Sequence, residues 1–407
     1  MQGEQIFSKM ENLYKTFYQL LNRTNSEFVR YLYPKIRWNN RLVAITGARG
    51  AGKTTMILQH IKKNFGDAPK EVLYVSLDNI YFSNNRLLDF AHDFDKMGGK
   101  YLFLDEVHKY GNWSQEIKNI YDSLPELNVV FTGSSILEIY RGDADLSRRV
   151  VHYTLNGMSF REFILLEKGI DFPVLKLEEL LENHIAIASQ INKQIKPLPL
   201  FQQYVTGGFY PYYQEDREMY ADRLLHTVNV VLETDLPAVE RIEIHTAKKI
   251  KQLLFIIAQR VPFTPNIKEL SEILEVSRKS LLNYLIYLEK AQLVGLLQQD
   301  ISGLRTLSKP EKIYLHNSNL AYALVAEKPD IGNIRETFFF NQLKTVAKVT
   351  SSSKADFKIN DKYTIEVGGK NKGYEQIAGV KDAYLALDNL EYGFMNKIPL
   401  WLFGLLY

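Results

Sequence analysis

The residues best suited to chemistry lie close together, from residue 47 to residue 54. This stretch fits the pattern G-x-x-x-x-G-K-[ST], follows an apolar run over residues 42–45 that predicts a buried parallel strand, and precedes a predicted helix. Glycines let backbone N–H groups turn inward around a polyanion, and a helix N-terminus adds the positive end of its dipole. The pattern therefore predicts a loop that binds phosphate. Its candidate binding residues are Gly47, Ala48, Arg49, Gly50, Ala51, Gly52, Lys53, Thr54 and Thr55.

Two side chains of this loop have more specific predicted roles. Lys53 would supply a mobile positive charge to the β- and γ-phosphates of a nucleotide, which also makes it a candidate catalytic residue. The hydroxyl of Thr54 would hold Mg²⁺. The loop therefore predicts a site for a nucleotide and its metal ion.

Acidic and hydroxyl side chains end two further predicted strands. The strand over residues 100–106 has four apolar or aromatic residues before its two acids, so Asp105 would lie beside Mg²⁺ and Glu106 could polarise a water molecule. A later apolar strand ends in two serines. Because ligands gather at the carboxyl ends of parallel strands, Ser134 or Ser135 would lie near a γ-phosphate or the attacking water.

Two arginines, Arg148 and Arg149, precede a fifth predicted strand over residues 150–155. Paired arginines at this point could stabilise the charge of a phosphoryl transition state, within one chain or from a neighbouring subunit. They could equally form a solvated pair on the surface. The sequence leaves both interpretations open.

Taken together, these motifs resemble the Walker A, Walker B and sensor-1 elements of AAA-type ATPases. More narrowly, the order of the motifs GSS, DLSRR, SFREF and GGFYP resembles a group of bacterial and archaeal ATPases. In that group the AAA core is followed by a domain of unassigned function with an endonuclease-like fold. The resemblance covers nearly the full length of the chain.

The resemblance implies an α/β fold: a P-loop NTPase of the AAA type with a parallel five-stranded core, then a helical region, a winged helix and a small α/β endonuclease-like domain. The sensor strand would lie between the Walker A and Walker B strands, with Ser134 near the nucleotide. ATP and Mg²⁺ are the implied cofactors. Thr54 and Asp105 would hold the metal, and Glu106 would activate water for ATP hydrolysis.

Composition sets wider limits on the class of protein. A chain of 407 residues, 46% hydrophobic and 24% charged, is ordinary globular material for several domains. It has no cysteine, which excludes a disulfide framework or a thiolate metal site and fits a reducing cytosol. The sequence shows neither a signal-peptide pattern nor a membrane-spanning apolar run, so we expect a cytoplasmic protein without membrane contact. A net charge of +3 does not by itself indicate nucleic-acid binding.

The chain divides into four predicted segments. We expect the ATPase core with its N-terminal helices over residues 1–155, a lid-like helical region over 156–261, the winged helix over 262–310 and the α/β domain over 311–407.

The winged-helix prediction rests on a helix, a short turn with Ser277 as N-cap, a second helix and a strand that begins at Leu293. The second helix carries three positive side chains that could contact DNA phosphates, namely Arg278, Lys279 and Lys290. Three charges do not make a strong basic surface, and winged helices also bind proteins. DNA and a protein partner therefore both stay open.

The last predicted domain has a helix carrying Glu336 and a hairpin carrying Asp356 and Glu366. This arrangement resembles the two-metal-capable core of restriction-endonuclease-like folds, where carboxylates hold Mg²⁺ and a lysine assists, so the three acids are a candidate second metal site. The lysine of that pattern would stand at position 368, which is Gly368, and the nearest lysine in sequence is Lys370. We therefore expect this domain to cleave DNA weakly or not at all.

Three functions follow from these observations. The leading one is an ATPase whose cycle moves the later domains and acts as a motor or switch on DNA or a protein partner, in one chain or in a homo-oligomer. The second is an ATP-regulated DNA nuclease. The third is a regulatory switch that binds ATP tightly, hydrolyses it slowly and recruits a partner.

Overall fold

The structure is a computed structural model, and it describes residues 2–66, 70–133, 146, 148–237, 242–260, 262–299, 309–325 and 327–407. For residues 2–9 it describes the backbone alone. The chain forms two compact units, residues 1–156 and residues 157–407. None of the described helices is both long enough and apolar enough to cross a lipid bilayer.

A five-stranded parallel sheet forms the centre of the first unit. Its strands are β1 (Leu42–Thr46), β2 (Val72–Ser76), β3 (Tyr101–Asp105), β4 (Asn128–Gly133) and β5 (Val151–Thr154). They pair in the order β2-β3-β4-β1-β5. All five residues of β1 are buried, as expected for a strand covered on both faces. The predicted fold class is confirmed, and the predicted sensor strand β4 lies between β1 and β3.

Helices surround this sheet in the described part of the first unit. They are α1 (Gln2–Arg23), α2 (Lys53–Phe65), α3 (Tyr81–Asn84), α4 (Leu87–Lys96) and α5 (Trp113–Ser123), with short 3-10 helices at Tyr33–Lys35 and Val107–Lys109. Their apolar residues repeat at helical spacing, and Phe90, Ala91 and Phe94 of α4 are buried. Helix α1 packs against β2 and α2, where the rings of Phe17 and Tyr74 stack with centroids 6.5 Å apart.

The second unit begins with helices, as the sequence predicts. They are α6 (Phe160–Lys168), α7 (Leu177–Asn192), α8 (Pro197–Gly207), α9 (Tyr220–Val230), a π-helix at Val231–Asp235, and α10 (Ile244–Arg260). Helix α6 starts with a capping box, because the Ser159 hydroxyl accepts from the Glu162 N–H and the Glu162 carboxylate accepts from the Ser159 N–H, both at 3.2 Å. Proline at the first position of α8 has no N–H to leave unpaired.

Two helices and a pair of strands follow: α11 (Ile267–Ile273), α12 (Arg278–Lys290), β6 (Val294–Leu297) and β7 (Lys312–Leu315). Ser277 caps α12 by accepting a hydrogen bond from the Ser280 N–H at 3.1 Å. Strand β6 pairs antiparallel with β7, and Phe263 pairs with Ile313 on the other side of β7. Strand β7 therefore lies beyond the predicted boundary at residue 310.

The remaining elements form a second α/β layer. They are α13 (Ser318–Leu324), α14 (Ile331–Val346), β8 (Val349–Ser351), β9 (Phe357–Ile359), β10 (Tyr363–Gly368), β11 (Ala383–Leu387) and β12 (Lys397–Pro399). The strands pair in the order β12-β11-β10-β9-β8. Strands β9 and β10 form the predicted hairpin, and Asn360 and Asp361 have φ angles of 51° and 58°, which suit its tight turn.

Candidate nucleotide-binding site

The predicted phosphate loop joins β1 to α2. Gly47, Gly50 and Gly52 have φ angles of 149°, 84° and 94°, in the region that favours glycine. A Cβ at Gly47 would also collide with the carbonyl oxygen of Leu155, in the segment that follows β5. Helix α2 begins directly at Lys53, so its first N–H groups point back towards the loop. The loop has the backbone that phosphate binding requires.

The ammonium group of Lys53 lies over this loop. Its Nζ donates to the carbonyl oxygens of Gly47 and Ala48, both at 2.9 Å, and only 8% of the residue is exposed. Two carbonyls thus hold the charge at the place where phosphate oxygens would bind it. Thr55, the last of the candidate binding residues, is exposed at the start of α2.

A carboxylate at the end of β3 collects hydroxyl groups from three other elements. Asp105 Oδ2 accepts from the Thr54 hydroxyl at 2.6 Å and from the Tyr74 hydroxyl at 2.7 Å. Asp105 Oδ1 accepts from the Thr132 hydroxyl and from the Glu106 N–H, the latter at 3.1 Å. Asp105 is 3% exposed. The structure therefore brings together Thr54 and Asp105, the two predicted metal ligands.

Two of these hydroxyl residues were not predicted from the sequence. Tyr74 lies on β2 and Thr132 on β4, the strands on either side of β3. Burial raises the pKa of Tyr74 and the charge of Asp105 raises it further, so the phenol stays protonated and donates. A polar residue inside each apolar run, Tyr in VLYVS and Thr in VVFTG, was the available signal.

Glu106 leaves the strand in a different direction from Asp105. Its backbone is left-handed, with a φ of 51°, which is uncommon for a residue with a side chain and marks a constrained position. The Glu106 N–H donates to the Thr132 hydroxyl as well as to Asp105, both at 3.1 Å. This turn fixes the backbone from which the Glu106 carboxylate extends, and the side chain is half-buried.

The remaining catalytic candidates have different outcomes. Ser134 and Ser135 lie outside the described residues. Arg148 is exposed. Arg149 pairs with Asp122 of α5, with Nε–Oδ1 at 3.0 Å and Nη2–Oδ2 at 3.3 Å. A two-point contact of this kind favours the surface-pair interpretation for Arg149.

In the second unit, a lysine lies between two of the predicted metal-binding acids. Lys312 Nζ lies 3.3 Å from Glu336 Oε2 and 3.2 Å from Asp356 Oδ1. The Tyr314 hydroxyl donates to the same oxygen of Glu336 at 2.8 Å. Burial raises the pKa of Glu336, and Asp356 adds to the rise while Lys312 opposes it. Burial alone would lower the pKa of Lys312, but the two carboxylates outweigh it and raise the pKa, so the ammonium stays charged.

A second lysine reaches the third acid. Lys372 Nζ lies 2.6 Å from Glu366 Oε1, while the Asp356 N–H donates to Glu366 Oε2 at 3.1 Å. A Cβ at Gly368 would lie 2.8 Å from the Cβ of Lys372, so the glycine makes room for this lysine. The lysine after β10 that contacts Glu366 is therefore Lys372, and not Lys370.

The second metal site at Glu336, Asp356 and Glu366 stays a prediction. Among the described residues, no group of three or more His, Cys, Asp or Glu side chains is arranged to hold a metal ion. Two ammonium groups, those of Lys312 and Lys372, contact the three acids.

The candidate DNA contacts lie at the two ends of α12. Arg278 and Lys279 are exposed in its first turn, and Lys290 is its last residue. A rise of 1.5 Å per residue separates these ends by about 18 Å. The three charges therefore do not form one compact patch, and DNA binding stays a prediction.

Comparison with known families now adds to this geometry. Residues 39–164 match a family described as an AAA domain, and they contain the phosphate loop, the Thr54–Asp105 pair and the whole parallel sheet. This part of the chain is therefore similar to the AAA domain family. Residues 198–330, beyond the AAA domain, match a domain of unknown function, DUF8612. That match covers α8 to α13 and gives no support for a winged helix or an endonuclease-like domain.

The chain is also similar to two proteins of Methanocaldococcus jannaschii, and each match is longer than residues 39–164. The uncharacterized protein MJ1637 is 27% identical over 297 residues, 68% of this chain and 62% of its own length. The uncharacterized protein MJ1544 is 26% identical over 319 residues, 75% of this chain and 67% of its own length. The chain thus spans roughly two thirds of each relative.

Solved structures resemble the chain only distantly. AMPPCP-bound DnaA from Aquifex aeolicus covers 63% of this chain and 84% of its own, with 15% identity and a TM-score of 0.27. A structure on the self-assembly of katanin covers 49% and 74%, with 14% identity and a TM-score of 0.26. PCH-2 of C. elegans covers 44% and 49%, with 16% identity and a TM-score of 0.24. Structural similarities with TM-scores this low do not indicate what the chain does.

Proposed function

We propose that the chain binds ATP with Mg²⁺, hydrolyses it, and uses the cycle as a motor or switch on a macromolecular partner. The observation that carries the proposal is the contact between Thr54 and Asp105 beside the phosphate loop. A hydroxyl and a carboxylate oxygen 2.6 Å apart are hard oxygen donors of the kind that Mg²⁺ prefers, so the residues fit the ion. When bound, Mg²⁺ would neutralise phosphate charge.

The residues of the AAA domain divide the work of hydrolysis. Backbone N–H groups of the loop and the ammonium of Lys53 would bind the β- and γ-phosphates. The carboxylate of Glu106 would accept a proton from a water molecule as its oxygen bonds to the γ-phosphorus. The bond from that phosphorus to the bridging oxygen then breaks, which leaves ADP and inorganic phosphate.

The partner is the least defined part of the proposal. The helices α11 and α12 and the strand pair β6–β7 could contact DNA through Arg278 and Lys279, or could bind a protein. The nuclease alternative is weaker, because among the described residues no group of three or more His, Cys, Asp or Glu side chains is arranged to hold a metal ion. An exposed Arg148 is available to act on a neighbouring subunit of a homo-oligomer.

The test is steady-state release of phosphate from ATP by the purified chain, with and without single-stranded, duplex and forked DNA. We expect turnover that requires Mg²⁺ and stops when a chelator removes the metal. Stimulation by one form of DNA would assign the partner, whereas DNA-independent turnover would favour a protein. Tight ATP binding with almost no turnover would replace the motor by the recruitment switch, and no ATP binding would overturn the proposal.

A further inference from the structure

A buried arginine outside every motif contacts the phosphate loop. Arg30 lies between α1 and β1, before residue 39, where the match to the AAA family begins. It is 3% exposed. Its Nη1 donates to the carbonyl oxygen of Ala51 in the loop, and its Nη2 donates to the carbonyl oxygen of Asn156 at 2.8 Å. One guanidinium thus joins the phosphate loop to the last residue of the first unit.

The segment that carries Arg30 is anchored to the helix that follows the loop. The side-chain amide of Gln59 donates to the carbonyl oxygens of Asn25 at 2.8 Å and Phe28 at 2.9 Å. Lys62 donates to the carbonyl oxygen of Thr24 at 2.8 Å. Because both side chains lie on α2, the Arg30 segment moves with the helix that starts at the phosphate site.

The residues after β5 meet the loop at a second point. The Leu155 N–H donates to the carbonyl oxygen of Thr46 at 2.7 Å, and the Leu155 carbonyl leaves no room for a side chain at Gly47. The Tyr31 hydroxyl lies 3.4 Å from the Asn156 nitrogen and 3.3 Å from the Thr154 carbonyl oxygen. Residues 154–156 are therefore held at both ends of the loop: Leu155 bonds to Thr46 at its start, and Arg30 links Asn156 to Ala51 near its end.

We infer that Arg30 is a positioning residue for the phosphate loop, and that it makes the position of Asn156 depend on the nucleotide. In a trans peptide the C=O and the following N–H point to opposite sides. By holding the Ala51 carbonyl, Arg30 would turn the Gly52 N–H to the opposite side, where phosphates would bind. The inference rests on the proposed function, because it requires that a nucleotide binds at this loop.

The chemistry of the side chain explains why arginine is needed. A planar guanidinium carries several N–H donors in fixed directions, so it can bind two carbonyl groups at once. A lysine ammonium is compact and would reach one of them. A neutral side chain would leave the buried Ala51 carbonyl and the half-buried Asn156 carbonyl with one partner fewer each, which is unfavourable.

The experiment measures binding of Mg²⁺ with ADP, and with the analogue AMPPNP, by calorimetry. For Arg30→Gln we expect Kd to rise about tenfold or more, because two charge-assisted hydrogen bonds are lost. The control is Arg23→Gln, an exposed arginine at the end of α1, which should bind as the wild type does. Equal Kd values for the two variants would overturn the inference.

A second measurement separates positioning from general stability. In the wild type we expect AMPPNP to slow amide hydrogen exchange both in the loop and at residues 154–156. In Arg30→Gln the slowing at 154–156 should disappear while that in the loop is reduced. A purely structural role would instead speed exchange with and without nucleotide and leave the nucleotide-dependent difference unchanged, which would contradict the inference.

If Arg30→Gln does not fold, Arg30→Lys takes its place, because it keeps the charge and one of the contacts. We expect an intermediate Kd and weaker protection at 154–156. Wild-type affinity with unchanged protection would overturn the inference. A wild-type protein that binds no nucleotide would instead overturn the proposed function, so the two failures are distinguishable.

Discussion

The carboxylate of Asp105 accepts hydrogen bonds from three hydroxyl groups and one backbone N–H. Donors of this kind hold a buried carboxylate in one orientation and fix the direction of its lone pairs. The Thr54 hydroxyl is among them, so a metal ion would meet both of its protein ligands already in contact. At the scale of single residues, the two predicted metal ligands lie side by side.

The first prediction concerns the charge of the loop. Lys53→Ala should abolish ATP binding at micromolar nucleotide, because it removes the ammonium that lies over the phosphate loop. Calorimetry measures this directly. The control is Lys63→Ala, an exposed lysine on the same helix, which should bind normally. Unchanged affinity in Lys53→Ala would contradict the assignment of the loop.

The second prediction concerns the catalytic acid. Glu106→Gln should still bind ATP but turn over about a hundredfold more slowly or worse, since the amide cannot accept the proton of the attacking water. Binding and steady-state phosphate release measure the two effects separately. Glu126→Gln, an exposed change in the same unit, should leave both unaltered. Hydrolysis at the wild-type rate would show that Glu106 is not the base.

Local spacing explains which site residues the sequence could predict. Lys53 and Thr54 belong to one contiguous motif, and Asp105 stands at the end of an obvious apolar strand. Local spacing could not identify Tyr74 and Thr132, because they reach the site through the order of the strands. It could not identify Arg30 either, because that residue lies in a segment before the sheet. No pattern along the chain states that β2 and β4 both flank β3.

Helix α12 is the element that decides between DNA and protein partners. If it binds DNA through phosphates, affinity should fall as salt rises, and Arg278→Ala and Lys279→Ala should each lower the slope by about one. Lys290→Ala should have less effect than either, because Lys290 lies at the far end of the helix. Fluorescence anisotropy with a labelled duplex measures the slopes. Salt-independent binding, or none, would favour a protein contact.

The sheet β8–β12 and helix α14 carry the next prediction. We expect no cleavage of plasmid DNA with Mg²⁺ or Mn²⁺, with or without ATP, because no group of three acids in the described part of the chain is arranged to hold a metal ion. Gel electrophoresis of incubated plasmid provides the measurement. Cleavage that is lost in Asp356→Ala and Lys372→Ala but kept in Lys370→Ala would overturn this expectation and revive the nuclease.

The same elements show a limit of reasoning from strand spacing. The hairpin and its turn could be predicted, since Asn and Asp tolerate the positive φ that the turn needs. The choice of Lys372 could not, because it depends on how the chain folds back after β10 over the glycine at 368. Alternation along a strand says nothing about a residue beyond its end.

At the scale of the whole molecule, we expect different roles for Arg148 and Arg149. Arg149 is held by Asp122 in its own unit, so Arg148 is the candidate to act on a neighbouring subunit. Specific activity should then rise with protein concentration, and mixing Arg148→Ala with Lys53→Ala should restore part of it. Arg149→Ala mixed in the same way is the control. Turnover per chain that is constant across a hundredfold dilution, with a monomeric mass, would exclude action in trans.

Strand β7 has a consequence for how the protein can be divided for expression. It supplies hydrogen-bond partners to β6 on one side and to Phe263 on the other. A fragment ending at residue 310 would leave the four buried residues of β6 as an apolar edge without its partner strand, which invites copies to associate edge to edge. A cut between Asn156 and Gly157 keeps each described sheet whole, and is the place to separate the first unit from the second.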